Sequence, residues 1–262
     1  MALSFWKYQG LGNDFVVVET PDLMDAARAQ RLCDRRRGIG GDGVLSVLPA
    51  RAGGAAFMHV FNSDGSVAAM CGNGIRCVAR HLAERRGLAG DVLIETDAGP
   101  KRCVVHRDRS GHVASVSVEM GPARWQAEEE FRVGGEVLRG HRVSMGNPHA
   151  VFFGEATVAR ATALGPLVDR AVEGGVNAGF ASPRAGGLDL VVWERGAGLT
   201  DACGTGACAA AVAAVKAGIL PVAAPLEVRL PGGALEITVA PDVVGVTMRG
   251  PAVRVFEGKT DL

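Results

Sequence analysis

Met70-Cys71-Gly72-Asn73-Gly74 opens one Ala-containing apolar run, and Ala202-Cys203-Gly204-Thr205-Gly206 opens another. Both read Cys-Gly-x-Gly, and Ala79 and Ala211 each follow eight residues behind their Cys. Nine residues ahead of each Cys, at the end of a predicted strand, stands a polar residue: Asn62 in FNSDG and Glu194 in WERGA. Further upstream, Leu11-Gly12-Asn13-Asp14-Phe15 is echoed by Met145-Gly146-Asn147-Pro148-His149. The offset is 134 residues at the Asn pair and 132 at the Cys pair. A near-constant offset over three motifs marks an internal duplication. The chain therefore reads as two pseudo-symmetric domains of like fold, residues 1–121 and 122–249, joined near Gly121–Gln126. The strand around Ala252–Phe256 suits either half, and the stretch 250–262 is assigned to the first.

Working outward, strand-like runs fall at Phe15–Val18, Val44–Leu48, Met58–Phe61, Val92–Glu95, Cys103–His106, Val113–Glu119, Ala150–Phe153, Leu188–Trp193, Leu226–Leu230, Leu235–Val239 and Val243–Met248. Helix-like runs are fewer: Leu23–Arg31, Gly74–Arg85, Gly206–Ala217 and the weaker Ala156–Ala163. Strands on both sides of each helix predict an α+β class rather than a regular βαβ winding. With 262 residues, 48% of them hydrophobic and 21% charged, the chain has the means to bury two modest cores. Its 28 basic and 28 acidic residues give no bulk charge that would point to nucleic acid or an anionic membrane. No apolar run approaches the ~18 residues of a membrane helix. Lys7 sits where a secretory signal would be apolar, and six irregularly spaced cysteines do not make a secreted disulfide framework. A soluble cytoplasmic protein with reduced thiols is expected.

A Cys at the mouth of a helix lies among unpaired backbone N–H groups and the positive end of the macrodipole, which favour thiolate over thiol. The glycines at 72, 74, 204 and 206 let each turn present its N–H groups to an anion. Two such turns in pseudo-twofold relation can grip one carboxylate and set a sulfur on each face of the adjacent carbon. That is the geometry of a two-base racemase, in which one thiolate removes an α-proton and the opposite thiol protonates the other face. Lys occurs only at positions 7, 101, 216 and 259, none in a comparable motif, so no pyridoxal cofactor is expected. Each Cys taken alone is better read as a small buried residue; the symmetric pair reverses that preference. Cys77 and Cys208 read as core, and the spacing does not suit structural zinc, so no metal is expected. Asn13, Asn62, Asn147 and Asn177 are neutral donor-acceptors suited to a substrate, Arg195 to a carboxylate, and Glu194 and His149 to an ammonium, although Asx turns and a solvated charged face account for them singly.

The stretches KYQGLGNDFVVV (7–18), CDRRRGIGGDGVL (33–45), FNSDGSVAAMCGNGIRCVARHL (61–82), MGNPHAVFF (145–153), GGVNAGF (174–180) and ERGAGLTDACGTGACAAAV (194–212) together resemble the diaminopimelate epimerase family of cofactor-independent amino-acid epimerases. The resemblance spans nearly the whole chain. It implies two domains, each a curled β-sheet around a central helix, with the site in the cleft between them, and Cys71 and Cys203 as the acid/base pair. It also implies that backbone N–H groups of Gly72, Asn73, Gly204 and Thr205 hold the reacting carboxylate. Asn13, Asn62, Asn147, Asn177 and Arg195 then contact substrate, and His149 and Glu194 border the reacting amine. The implied reaction interconverts L,L- and meso-diaminopimelate, for lysine and peptidoglycan-precursor synthesis. Some family members carry Gln where this chain has Gly43, and often Cys where it has Ala150. Racemisation of another amino acid, such as histidine, and a non-catalytic dithiol redox protein are the alternatives. The partner expected is a small diamino dicarboxylic acid; a homodimer is compatible with the sequence, which does not fix the assembly.

Overall fold

The computed structural model describes residues 2–19 and 24–262, which divide into two compact units. One comprises the chain up to Val118 together with Gly250–Leu262, and the other is Glu119–Arg249.

In the first unit, β1 (Leu3–Gly10) and β2 (Asn13–Val18) form an antiparallel hairpin with Gly10 opposite Asn13. The intervening Leu11 and Gly12 both have positive φ, 59° and 85°, as a two-residue turn matched to strand twist requires. Helix α1 (Ala26–Cys33) then carries the chain over to β3 (Gly43–Leu48), parallel to β2. Asp25 caps α1 by accepting from the Arg28 N–H. The helix expected at Leu23–Arg31 thus begins at Ala26; Leu23 itself lies outside the described residues. Next come β4 (Ala56–Asn62), the short β5 (Val67–Ala68), and α2 (Gly72–Arg85), which crosses to β6 (Gly90–Thr96), parallel to β4. Strands β7 (Lys101–Arg107) and β8 (Val113–Pro122) continue antiparallel.

The second unit repeats this order. Strands β9 (Arg124–Val133), β10 (Glu136–Ser144) and β11 (Pro148–Phe153) run antiparallel. Helix α3 (Val158–Ala171) crosses to β12 (Asn177–Arg184), parallel to β11. Then β13 (Gly187–Glu194), the short β14 (Gly198–Thr200) and α4 (Gly204–Lys216) lead to β15 (Pro225–Leu230), parallel to β13. Antiparallel β16 (Gly233–Val239) and β17 (Gly245–Gly250) follow. The counterpart of β9 in the first unit is the last strand, β18 (Val253–Thr260), which pairs antiparallel with β1.

The two crossing helices that carry the Cys motifs are the cores of their units. Ten of the fourteen residues of α2 and ten of the thirteen of α4 are buried. In α4 every residue from Gly206 to Ala214 is buried, so the helix is enclosed on all sides. An apolar helix of this kind is stable only inside a core, and its run of Ala lets surrounding strands approach closely. Accordingly α4 packs on β10, β11, β12, β13, β15 and β16, and α2 on β1, β2, β3, β6 and β7: each sheet curls around its own helix. A smaller cluster lies under the outer helix of each unit. Leu3, Phe5, Val16, Val18, Leu32 and Val44 pack with α1, and Phe131, Phe152, Leu164, Val168 and Phe180 with α3. Among the described residues no helix is long and apolar enough to cross a membrane.

Several elements differ from the sequence expectation. The stretch Gly121–Gln126, read as a joint, is strand on both sides of Ala123. Strand β9 escapes detection because Arg124–Glu130 are all exposed and largely charged, as an outer strand tolerates. Strands β1, β10 and β12 were also unforeseen, whereas the strand expected around Ala252–Phe256 is β18; Lys7 and Gln9 break the pattern in β1, and Gly179 and Pro183 in β12. Helix α3 runs past Ala163 and takes Pro166 within it.

Candidate active site

At the first motif, Cys71 is the N-cap of α2, in extended conformation (φ −132°, ψ 117°). Its Sγ accepts from the Gly74 N–H at 3.3 Å, the position a Ser hydroxyl occupies in an ordinary cap. Buried Asn73 follows; its Oδ1 accepts from Arg76 Nη2 at 3.0 Å and its Nδ2 donates to Asn13 Oδ1 at 3.3 Å. Asn13 in turn donates through Nδ2 to Asp42 Oδ2 at 2.7 Å. Arg35 bridges Asp42 and Asp14, and Lys7 pairs with Asp14 at 2.5 Å. Burial lifts the Asp14 carboxyl, but the Arg35 and Lys7 hydrogen bonds outweigh it and bring it down to about 2. The chain from Arg76 to Asp42 has an obligate donor at one end and an obligate acceptor at the other, so both amides have one orientation. Asn62, at the end of β4, is exposed and donates to Ser66 Oγ in its own turn. Gly43 lies beside Phe15 in the β2–β3 pairing, and a Cβ there would stand 2.6 Å from the Phe61 carbonyl oxygen. This backbone therefore has no room for a side chain at Gly43, which is a close-approach residue rather than a merely missing polar contact.

At the second motif, Cys203 caps α4 in the same extended conformation (φ −117°, ψ 104°) but is buried. Its Sγ donates to Glu194 Oε2 at 3.0 Å, and Thr200 donates to Glu194 Oε1 at 2.6 Å. Burial first, then the Glu194 carboxylate, pushes the Cys203 thiol well above its usual range; the Gly206 N–H and the Thr205 hydroxyl pull the other way and lose. A helix mouth by itself lowers a thiol pKa, and the opposite is found here. The partial charge of a helix end is outweighed by desolvation and a full carboxylate in contact with the sulfur. Close packing adds to this: a Cβ at Gly206 would lie 3.1 Å from Cys203 Sγ.

The side chains around Cys203 form a second directional chain. His149 is buried, and burial followed by the Arg195 charge lowers it to about 3, so the ring is neutral. Its Nε2 faces Asn147 Oδ1 at 3.1 Å and must therefore carry the proton. Asn147 Nδ2 donates to Thr205 Oγ1 at 3.2 Å, which leaves the Thr205 hydroxyl proton for Cys203 Sγ at 3.7 Å. Asn177 is buried and committed to backbone, donating to the Pro148 carbonyl at 2.8 Å and accepting from the Arg195 N–H at 3.0 Å. The Arg195 guanidinium is exposed and donates to the Gly174 carbonyl at 2.7 Å.

Each unit thus contains the same amide bridge, Asn13 to Asn73 and Asn147 to Thr205, linking the head of a strand to the turn behind its Cys. The N–H groups of Gly72, Asn73, Gly204 and Thr205 all lie in a first helical turn, where a helix offers them no acceptor of its own. In the first unit Asn13, Cys71, Gly72 and Asn73 come together and Asn62 bonds apart from them. In the second Asn147, His149, Glu194, Cys203, Gly204 and Thr205 come together, with Asn177 and Arg195 bonded to each other beside them. Thr200, Asp42 and Arg76 were not legible in the sequence; nothing there sets Arg76 apart from Arg80 and Arg85 on the same helix.

Comparison with known proteins agrees with these motifs. The sequence model of the family described as Diaminopimelate epimerase matches residues 5–126 and 142–255. A diaminopimelate epimerase of Synechococcus sp. (strain JA-3-3Ab) is 43% identical, covering 98% of both chains. One from Desulforudis audaxviator (strain MP104C) is 45% identical, covering 98% of this chain and 99% of that one. Among solved structures, a probable proline racemase from Agrobacterium radiobacter K84 aligns over 99% of this chain and 93% of its own, with a TM-score of 0.78 at 18% identity, a likeness of fold. From the family match and the full-length identity, the chain belongs to the diaminopimelate epimerase family.

Proposed function

We propose that this isomerase interconverts L,L- and meso-diaminopimelate without a cofactor, with Cys71 and Cys203 as the two acid/base residues acting on one α-carbon. The observation that supports this best is the Glu194 carboxylate held against the Cys203 thiol. Cys71 accepts a hydrogen bond from Gly74 N–H, whereas Cys203 donates one to Glu194. A base and an acid are thereby available in one resting state, as a single turnover requires. For one epimer, Cys71 takes the α-proton, so the Cα–H bond breaks and its electron pair spreads into the carboxylate. Cys203 then delivers its S–H proton to the other face, leaving Cys71 as thiol and Cys203 as thiolate; after release of product, proton exchange with solvent returns Cys71 to thiolate and Cys203 to thiol, and the reverse reaction starts from the swapped state. The growing charge on the carboxylate is met by the N–H groups of Gly72, Asn73, Gly204 and Thr205. Glu194 and neutral His149 border the amine, Glu194 as the group that keeps Cys203 protonated. Asn13, Asn62, Asn147, Asn177 and Arg195 are proposed for the remaining amine and carboxylate, the features that separate this substrate from histidine.

The test is proton NMR of the reduced protein with L,L-diaminopimelate in heavy water. The α-proton signal should disappear as the meso form accumulates, and Cys71→Ser or Cys203→Ser should abolish the epimerisation. Absence of exchange with thiols confirmed reduced would overturn the assignment, and epimerisation that survives either substitution would overturn the two-base mechanism.

A further inference from the structure

The two turns differ in what lies under them. Beneath the first is Arg76, a fully buried guanidinium one turn into α2. It donates through Nη1 to the Gly72 carbonyl at 3.2 Å, through Nη2 to Asn73 Oδ1 at 3.0 Å, and through Nε to the Pro251 carbonyl at 3.1 Å. The first two of these bonds end on the Gly-x turn itself, and the bond to Pro251 anchors it to the chain returning as β18. At the Cys-to-Cys offset the same place in α4 is held by Cys208, also buried. A guanidinium does not deprotonate in proteins, and a buried charge is little screened by salt.

We propose that Arg76 is a positioning residue that gives the first turn a fixed buried positive charge, where the matching position of α4 holds Cys208, and directs it through Gly72 and Asn73 at the anion that turn holds. This rests on the reading above that the turn holds the reacting carboxylate. Charge on that carboxylate grows as the α-proton leaves, so a fixed cation beneath it favours the transition state over bound substrate. Arg76 also fixes the amide of Asn73, and through it that of Asn13.

Site-resolved alkylation of Cys71 with iodoacetate and with iodoacetamide tests this. The same sulfur displaces iodide from both reagents, so the ratio of the two rates cancels the thiolate fraction and reads the local potential. In Arg76→Met the ratio should fall by about three- to tenfold, while Arg76→Lys should keep it within about twofold. With diaminopimelate, Arg76→Met should lower kcat by about ten- to a hundredfold with little change in KM, and Arg76→Lys should recover most of it. A folded Arg76→Met whose ratio matches the wild type would overturn the proposal. Should that variant not fold, the wild type decides: the preference for iodoacetate at Cys71 should survive 1 M salt, where the Debye length is about 3 Å. Its collapse there would assign it to surface charge and refute Arg76. An Arg76-dependent ratio in a protein inert towards diaminopimelate would instead sink the functional reading and leave this one standing.

Discussion

Replacing Glu194 by Gln should make Cys203 easier to ionise. Glu194 Oε2 lies 3.0 Å from the sulfur. A full charge at that distance acts with roughly 5 kcal/mol at an effective dielectric near 20. Glu194 is half-buried and its second oxygen is bonded to Thr200, so solvent and that hydroxyl take part of this away. What remains is about 1.5–4 kcal/mol, and removal of the anion moves the thiol pKa downward. Burial of Cys203, the larger cause of its raised pKa, is unchanged by the substitution, so the value stays above that of an exposed Cys. The assay is the pH dependence of iodoacetamide labelling at Cys203, resolved from the other five cysteines by peptide mass spectrometry. Glu194→Asp, which keeps the charge but withdraws it by about one methylene, should fall between the two. A labelling midpoint that stays put or rises in Glu194→Gln would refute the view that this carboxylate holds Cys203 as the acid.

Acid sensitivity should come in two separable windows. His149 binds its proton only near pH 3 when folded but near 6.5 when unfolded, so stability falls as pH drops through that interval, and His149→Gln should flatten this part of a denaturant titration series. Asp14 is depressed to about 2, so its contribution, about 2 kcal/mol, is present above pH 4 and lost between about 4 and 2; Asp14→Asn should remove that lower slope. The imidazole resonances of His149 should not move between pH 5 and 9, and a midpoint near 6.5 would contradict its buried neutral state. Gly206→Ala presses a methyl to 3.1 Å from Cys203 Sγ and Val192 Cγ2, and should cost about tenfold or more in kcat for a stability loss of about 1–2 kcal/mol. Equal activity with the wild type would mean that the sulfur tolerates displacement.

The Cys-Gly-x-Gly pairs were legible because a cap must sit next to its helix in sequence, and both cysteines do cap α2 and α4. The duplication was legible for the same reason: each half keeps strand, crossing helix and turn in one order. The polarity of Cys203 was not, since it depends on Glu194, nine residues away along the chain but brought to 3.0 Å by the passage from β13 through β14 into the helix. Arg76 was passed over because a charge inside an apolar helical pattern reads as a surface position, whereas its guanidinium finds acceptors in the core, among them the Gly72 and Pro251 carbonyls and Asn73 Oδ1. Strand β9 was hidden by its exposure: alternation is a signature of half-buried strands, and seven successive exposed residues carry none.

Enclosure of α2 and α4 by their own sheets has a consequence for how this protein wears out. Reactive groups of many enzymes ride on loops that can melt while the scaffold persists, so activity is lost before structure. Here the thiols cap the innermost helices, and the surfaces that would have to loosen to displace them are the ones on which each unit's folding depends. Heat inactivation and global unfolding should therefore share one midpoint, and damage that spares the core should spare turnover. Variation that tunes the site without weakening the fold is left mainly to side chains that meet the turns from outside the helices, such as Asn13, Asn147 and Glu194.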